Sequence, residues 1–147
     1  MAAPNLNALL LGSRVITAAL GDVVITEGVS SANVAQALWD RLAGINALSL
    51  IAAFTYGSGG TTAVVTVDTA LGAGGVWIPV ARFDFAQASA TKQLVLSRSA
   101  IAAAATLSAL SADSSINLIG DRFRTRLTTT GIYAGGTLLD LRAQPHA

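Results

Sequence analysis

Apolar and polar residues alternate along most of this chain with a period of two, the signature of strands with one buried face. From Asn46 onward, Leu48, Leu50, Ala52, Phe54 and Tyr56 share one face, while Ser49, Ile51, Ala53 and Thr55 fall on the other. The GSGG turn at 57–60 tolerates positive φ, and TTAVVTVD then sets Ala63, Val65 and Val67 against Thr62, Val64 and Thr66, so the pair reads as a β-hairpin. In VWIPVARFDF, Trp77, Ala81, Phe83 and Phe85 line one face and Arg82 and Asp84 the other. Pro79 has no N–H for a ladder, which predicts a sheet edge or a bulge there. KQLVLS at 92–97 is a further strand. RFRTRLTTT places Phe123, Thr125, Leu127 and Thr129 opposite Arg122, Arg124, Arg126 and Thr128. After a Gly-rich turn, TLLDLRA sets Leu139 and Leu141 against Leu138, Asp140 and Arg142.

The remaining stretches are less regular. Residues 1–13, with Pro4, Asn5, Leu6, Asn7 and Gly12, read as a flexible arm, and VITAAL and DVVITE as two short strands split by Gly21. Residues 33–44 fit a short helix or a turn, and the Ala-rich 100–115 a helix or a surface loop. YGSGGTT at 56–62 and YAGGT at 133–137 echo one another and read as two hairpins with the same turn chemistry. Seven or eight short strands joined by Gly turns predict an all-β fold, an antiparallel β-sandwich or jelly-roll-like barrel. A single domain over 14–147 would follow the arm. A chain of 147 residues buries roughly 68–70% of its unfolded surface and needs no staple.

Composition sharpens this picture. Apolar residues make up 52% of the chain and charged ones 12%, about half the usual fraction. So uncharged a surface favours a protein covered by partners, as in an oligomer or a shell. The absence of cysteine excludes disulfides and thiolate chemistry, and no cofactor or metal signature occurs. The one histidine, His146, is penultimate, where chain ends are usually disordered, and Glu27 is the only glutamate. No catalytic pair is legible, so the expectation is a protein that is not an enzyme. The N-terminus lacks the basic start of a signal peptide, and the uncharged run from Leu42 to Val67 is broken by Asn46, Ser49 and the GSGG turn, so a soluble protein with no membrane association is expected.

The strongest local feature is the alternate triplet Arg122, Arg124 and Arg126. Side chains about 6.6–6.8 Å apart along a strand match twice the axial phosphate spacing of about 3.4 Å on one strand of a duplex. Against nucleic acid stand the net charge of +1 and the lack of stacking aromatics on the arginine face. The other readings are a protein-docking face and arginines that are solvated or paired across strands with Asp84, Asp121 or Asp140, and these stay open at this point. No nucleic-acid partner is expected.

The succession FTYGSGGTTAVVTV, GGVWIPVARFDF and IGDRFRTRLTTTGIYAGGTLL, across about residues 46–142, resembles the small structural proteins of tailed bacteriophages and related gene-transfer particles. The resemblance implies a β-sandwich virion component, with a head decoration or cement protein fitting best. Such a protein would sit on the capsid surface after assembly in the bacterial cytoplasm, bind the major capsid protein and form a homo-oligomer, with a trimer favoured. Candidate docking residues are Arg122, Arg124 and Arg126 together with Pro4, Asn5 and Leu6 of the arm. A tail or head-to-tail connector subunit shares these features. A carbohydrate-binding module of a host-recognition fibre would use an exposed aromatic row, for which Trp39 and Trp77 are the only tryptophans.

Overall fold

The computed structural model describes residues 8–25, 45–70, 76–97, 109–120 and 122–146. The alternating stretches become seven long strands: β1 (Leu9–Val15), β3 (Ala47–Thr55), β5 (Thr62–Ala70), β6 (Ile78–Phe85), β7 (Ala90–Ser97), β9 (Arg122–Thr130) and β11 (Leu138–His146). Four two-residue strands join them: β2 (Val23–Val24), β4 (Ser58–Gly59), β8 (Ser114–Ser115) and β10 (Tyr133–Ala134). No helix occurs among the described residues. One sheet runs β1-β11-β3-β7, a second runs β2-β9-β5-β6-β8, and β10-β4 pair between them. Every pairing is antiparallel, and the two layers form a sandwich, not a closed barrel.

The pairing continues from one layer to the other. Residues 47–70 accompany 146–122 from Ala47↔His146 to Ala70↔Arg122, through Ser58↔Ala134 and Gly59↔Tyr133. At the bend, residues 135–137 stand opposite only 56 and 57, a slip of one residue. Residues 9–25 follow the far side of the same segment: β1 pairs with β11, Ile16 N donates to Thr137 O, Thr129 N donates to Leu20 O, and β2 pairs with β9. Residues 78–97 flank 47–70 in the same way. The molecule is therefore four long strands folded together over one crease, and each keeps its apolar face inward on both sides of the bend.

Between the layers, Leu48, Leu50 and Phe54 of the first sheet meet Val65, Phe83 and Leu127 of the second in one core. Fully burying side chains of this size contributes roughly 1.5–3 kcal/mol each. The buried threonines serve as ties, because a buried hydroxyl needs a partner. Thr125 Oγ1 donates to Leu11 O at 3.1 Å, Thr129 Oγ1 accepts from Leu20 N at 2.8 Å, and Thr69 Oγ1 accepts from Gly120 N at 2.9 Å.

The crease is built on Tyr133, which is completely buried. Its ring meets Phe54 edge-on at 5.7 Å and Tyr56 at 6.2 Å, and its hydroxyl donates to Ala86 O at 3.0 Å. Gly60, at φ 63°, lies flat on that ring, where a Cβ would collide with the aromatic carbons. Gly57 is packed against the backbone of Ala134 and Gly135, and its N–H donates to Thr137 Oγ1 at 3.0 Å. Gln87 Nε2 donates to Gly60 O at 2.8 Å, and Tyr56 N donates to Ser89 Oγ at 2.8 Å, which bring in the fourth strand.

Several sequence expectations are revised. GSGG is not a hairpin turn: β3 and β5 lie in different layers because Leu50 and Phe54 bury their faces against Val65 rather than beside it. The two echoing glycine segments are two sides of one crease and pair with each other through β4 and β10. The arm does not reach residue 13, since β1 begins at Leu9 and buries Leu11; Pro4, Asn5 and Leu6 lie outside the described residues. VITAAL is not a strand, because β1 ends at Val15 and residues 16–22 cross the crease. The bulge expected at Pro79 is present, with the β5–β6 register shifting between Val67 and Asp68. Residues 33–44 and 100–108 lie outside the described residues, and 109–115 contain only β8.

Gly60→Ala should cost about 1–2 kcal/mol of left-handed strain plus about 1–3 kcal/mol of overpacking against Tyr133. Gly136→Ala, at φ 78° with open space around it, should cost only the first of these. Urea unfolding of the two variants measures the difference, and equal losses would refute the packing at the crease. Burial first, and the charge of Tyr56 second, raise the Tyr133 phenol above its ordinary value near 10. Between that value and the higher folded one the unfolded chain has lost a proton that the folded chain retains, so stability falls as pH rises through this window. Tyr133→Phe should flatten the alkaline fall in stability as pH rises past about 10, measured by urea unfolding at each pH.

Candidate functional site

Alternation along β9 turns Arg124 and Arg126 to the outer surface of the five-stranded sheet. The antiparallel register then sets Asp68 of β5 directly opposite Arg124, with Arg126 opposite Thr66 one row away. Asp68 Oδ2 accepts from Arg124 Nε at 2.7 Å and from Arg126 Nε at 2.5 Å, and Oδ1 accepts from Arg126 Nη2 at 2.9 Å. The two guanidinium groups cover the carboxylate so fully that Asp68 is 1% exposed although it faces outward. Trp77 underlies Arg124, whose Cζ stands 4.7 Å from the ring centroid. Arg126 Nη1 also donates to Asp22 at 2.7 Å. The hydrogen bond to Asp68 is the main reason that the Arg126 guanidinium holds its proton more tightly than usual, against the opposing effect of burial.

The same layout repeats toward β6. Arg82 grips Asp84 with Nε and Nη2 at 2.6 and 2.7 Å and donates from Nη1 to Leu110 O at 2.9 Å. Lys92 donates to Asp113 at 2.7 Å and to the Asp84 carbonyl, and it lies 5.1 Å from the Phe85 ring centroid. Burial pushes the Asp113 carboxyl up, but hydrogen bonds from Lys92 and the Asp84 amide, with the charges of Lys92 and Arg82, outweigh it and hold the group below its ordinary value. Asp22 and Asp113 are the two non-glycine residues with positive φ among those described, at 53° and 51°. Both are aspartates, whose short polar side chains tolerate that region, and each pins a loop to a strand through an ion pair.

Four cations, Arg82, Lys92, Arg124 and Arg126, thus meet four carboxylates, Asp22, Asp68, Asp84 and Asp113, and the network is neutral. Arg124 and Arg126 are both paired with Asp68. Pairing across strands, one of the open readings, is what occurs, but with Asp68 and Asp22, which the sequence reading missed, and not with Asp84 or Asp140. Asp84 pairs with Arg82 and Asp140 with Arg142, each two residues along its own strand, and Asp121 lies outside the described residues. The available signal was an acidic residue, Asp68, within the otherwise uncharged TTAVVTVDTA. Arg122 pairs through its backbone with Ala70, and its side chain is outside the described set. Trp39 is likewise outside it, while Trp77 is engaged by Arg124 and forms no exposed aromatic row.

His146 is not a loose end: it closes β11 opposite Ala47, and its Nε2 shares a 3.0 Å hydrogen bond with Ser49 Oγ. A nucleophile and base at this distance need a third group to orient the ring and donors for an oxyanion. No carboxylate hydrogen-bonds to His146 among the described residues, and the pair stands on an exposed sheet face. Two shallow depressions flank the charged network. One of about 160 Å³ lies between Thr66, Pro79, Leu110 and the two arginines Arg82 and Arg126, and one of about 310 Å³ between Thr62, Phe85, Ala86 and Lys92. Their charged groups already hold internal partners.

Fold and surface define a class: an antiparallel two-layer β-sandwich with one outer face locked by ion pairs. Compared with protein-family models, with curated proteins and with solved structures, the chain matches none.

Removing the buried carboxylate leaves Arg124 without its counter-charge and Arg126 with Asp22 alone. Asp68→Asn should therefore cost about 3 kcal/mol, whereas Asp140→Asn, which breaks a surface pair, should cost less than about 1 kcal/mol. Chemical denaturation of both variants checks the ratio.

Proposed function

We propose that the chain is a non-enzymatic structural component of a tailed-phage-type particle, a capsid decoration or cement protein that binds the lattice of the major capsid protein and stabilises the head. The observation that carries this reading is the closed charge network. Its cations and carboxylates are spent on one another within the domain, which leaves a surface suited to broad, charge-poor contact with neighbouring subunits. The resemblance of residues 46–142 to phage structural proteins points the same way.

With Arg124 and Arg126 held by Asp68, lattice contact falls to Pro4, Asn5 and Leu6, which precede β1. Many copies acting together make a weak single contact sufficient, because each bound copy adds to the same shell. The test is co-sedimentation of the purified chain with empty shells assembled from the co-encoded major capsid protein. Saturation at a fixed copy number per shell, a raised temperature of shell disruption, and loss of both on deletion of residues 1–7 are expected. A full-length chain that stays in the supernatant refutes the reading.

A further inference from the structure

The two outer faces differ, and the barer one has a symmetry of its own. The outer face of the four-stranded sheet carries Val15, Ile51 and Val95 at 55%, 40% and 48% exposure. Its Asp and Arg are Asp140 and Arg142, joined to each other at 3.0 Å. Register puts Asp140 in one row with Ala53 and Thr91, and Arg142 in the next row with Ile51 and Gln93.

We infer that this face is an interface between two copies of the chain. A two-fold axis lying in the interface, across the strands and between these two rows, turns each row onto the other. Asp140 of one copy then stands over Arg142 of the other, and the reverse pair forms by symmetry. The same operation sets Ile51 over Ala53, a large side chain over a small one, and Gln93 over Thr91. Charge, size and hydrogen-bonding capacity therefore match about a single axis, as an isologous contact requires. A two-fold axis running along β11 instead would place like charges over each other.

The size is sufficient. β3 and β11 are nine residues long, about 30 Å, and four strands span about 19 Å, so the face offers between about 500 and 600 Å². Two copies bury about 1,100 Å², above the roughly 1,000 Å² at which specific interfaces begin. The outer face of the other sheet is closed to the same contact, because Leu110 and Asp113, in the segment around β8, are tied to it through Arg82, Asp84 and Lys92. At the edge, the exposed Arg14 of β1 discourages the strand-to-strand pairing that would compete.

The test is sedimentation of the purified chain up to concentrations on the order of 100 µM, which reaches weak association as well as tight. A dimer is expected. Asp140→Arg alone should weaken it about tenfold or more by setting arginines over each other, and combining it with Arg142→Asp should restore it, since the swapped pair is again complementary. Ile51→Glu should give a folded monomer, while Val76→Glu, exposed but outside β1, β3, β7 and β11, should leave the dimer intact. A monomer at that concentration, a trimer, or a dimer indifferent to both Ile51→Glu and the charge swap overturns the inference. Should Ile51→Glu fail to fold, the charge reversal and its rescue still decide. The interface does not rest on the particle reading, and it is measured with no shells present, so either proposal fails without the other.

Discussion

The packing of Tyr133 under Gly60 is the contact on which the rest of the molecule depends. A sheet made of four long strands can bury its apolar face only by folding over, and folding it requires every strand to turn at the same level. Tyr133 fills the inside of that bend against Phe54, while its hydroxyl holds Ala86 on a third strand. Gly60 lets the backbone reach the ring, and Gly57 lets the two inner strands meet backbone to backbone. Around them Thr137 ties three strands: its hydroxyl accepts from Gly57 N and donates to Ala134 O, and its carbonyl accepts from Ile16 N. Aromatic filling and hydrogen bonds act on the same few residues, so the crease is fixed in position and in angle.

Once the crease is set, the two outer faces follow different rules. On the five-stranded sheet, Arg82 and Asp84 pair within β6, but the other charges are matched between segments distant in sequence: Asp68 to Arg124 and Arg126, and Asp22 to Arg126. Each arginine covers a carboxylate that would be costly to bury alone, and the carboxylate in turn holds the guanidinium plane against the sheet. On the four-stranded sheet the Asp140–Arg142 pair is made within one strand and needs no partner strand at all. One face is thus sealed by its own electrostatics, and the other is flat, uncharged in sum and partly apolar.

Much of this was legible along the chain. The phase of most long strands could be read from alternation alone, because a residue's side in a pleated strand is a local property: Leu48, Leu50, Ala52 and Phe54, Ala63, Val65 and Val67, Phe83 and Phe85, and Phe123, Thr125, Leu127 and Thr129 all point inward as their spacing requires. Pro79 announced its bulge for the same reason, since a missing N–H is a property of the residue itself. The glycine segments were recognised as bends, and their likeness to each other was visible, but not that they lie side by side. His146 was misjudged because its position near the chain end says nothing of the Ala47 backbone that receives it.

The sequence by itself determined the strands from Ala47 onward, which side of most of them is apolar, where the chain must bend, and that the surface would be poor in charge. Only the tertiary structure decided that the GSGG bend carries the chain from one layer to the other, that residues 9–13 join a sheet, and that Arg124 and Arg126 are occupied by Asp68. The physical reason is the same in each case. Alternation and turn chemistry act between neighbours in the chain, whereas layer, register and ion partner are set by which apolar faces meet across the crease, and that choice is made between segments as far apart as Asp68 and Arg124.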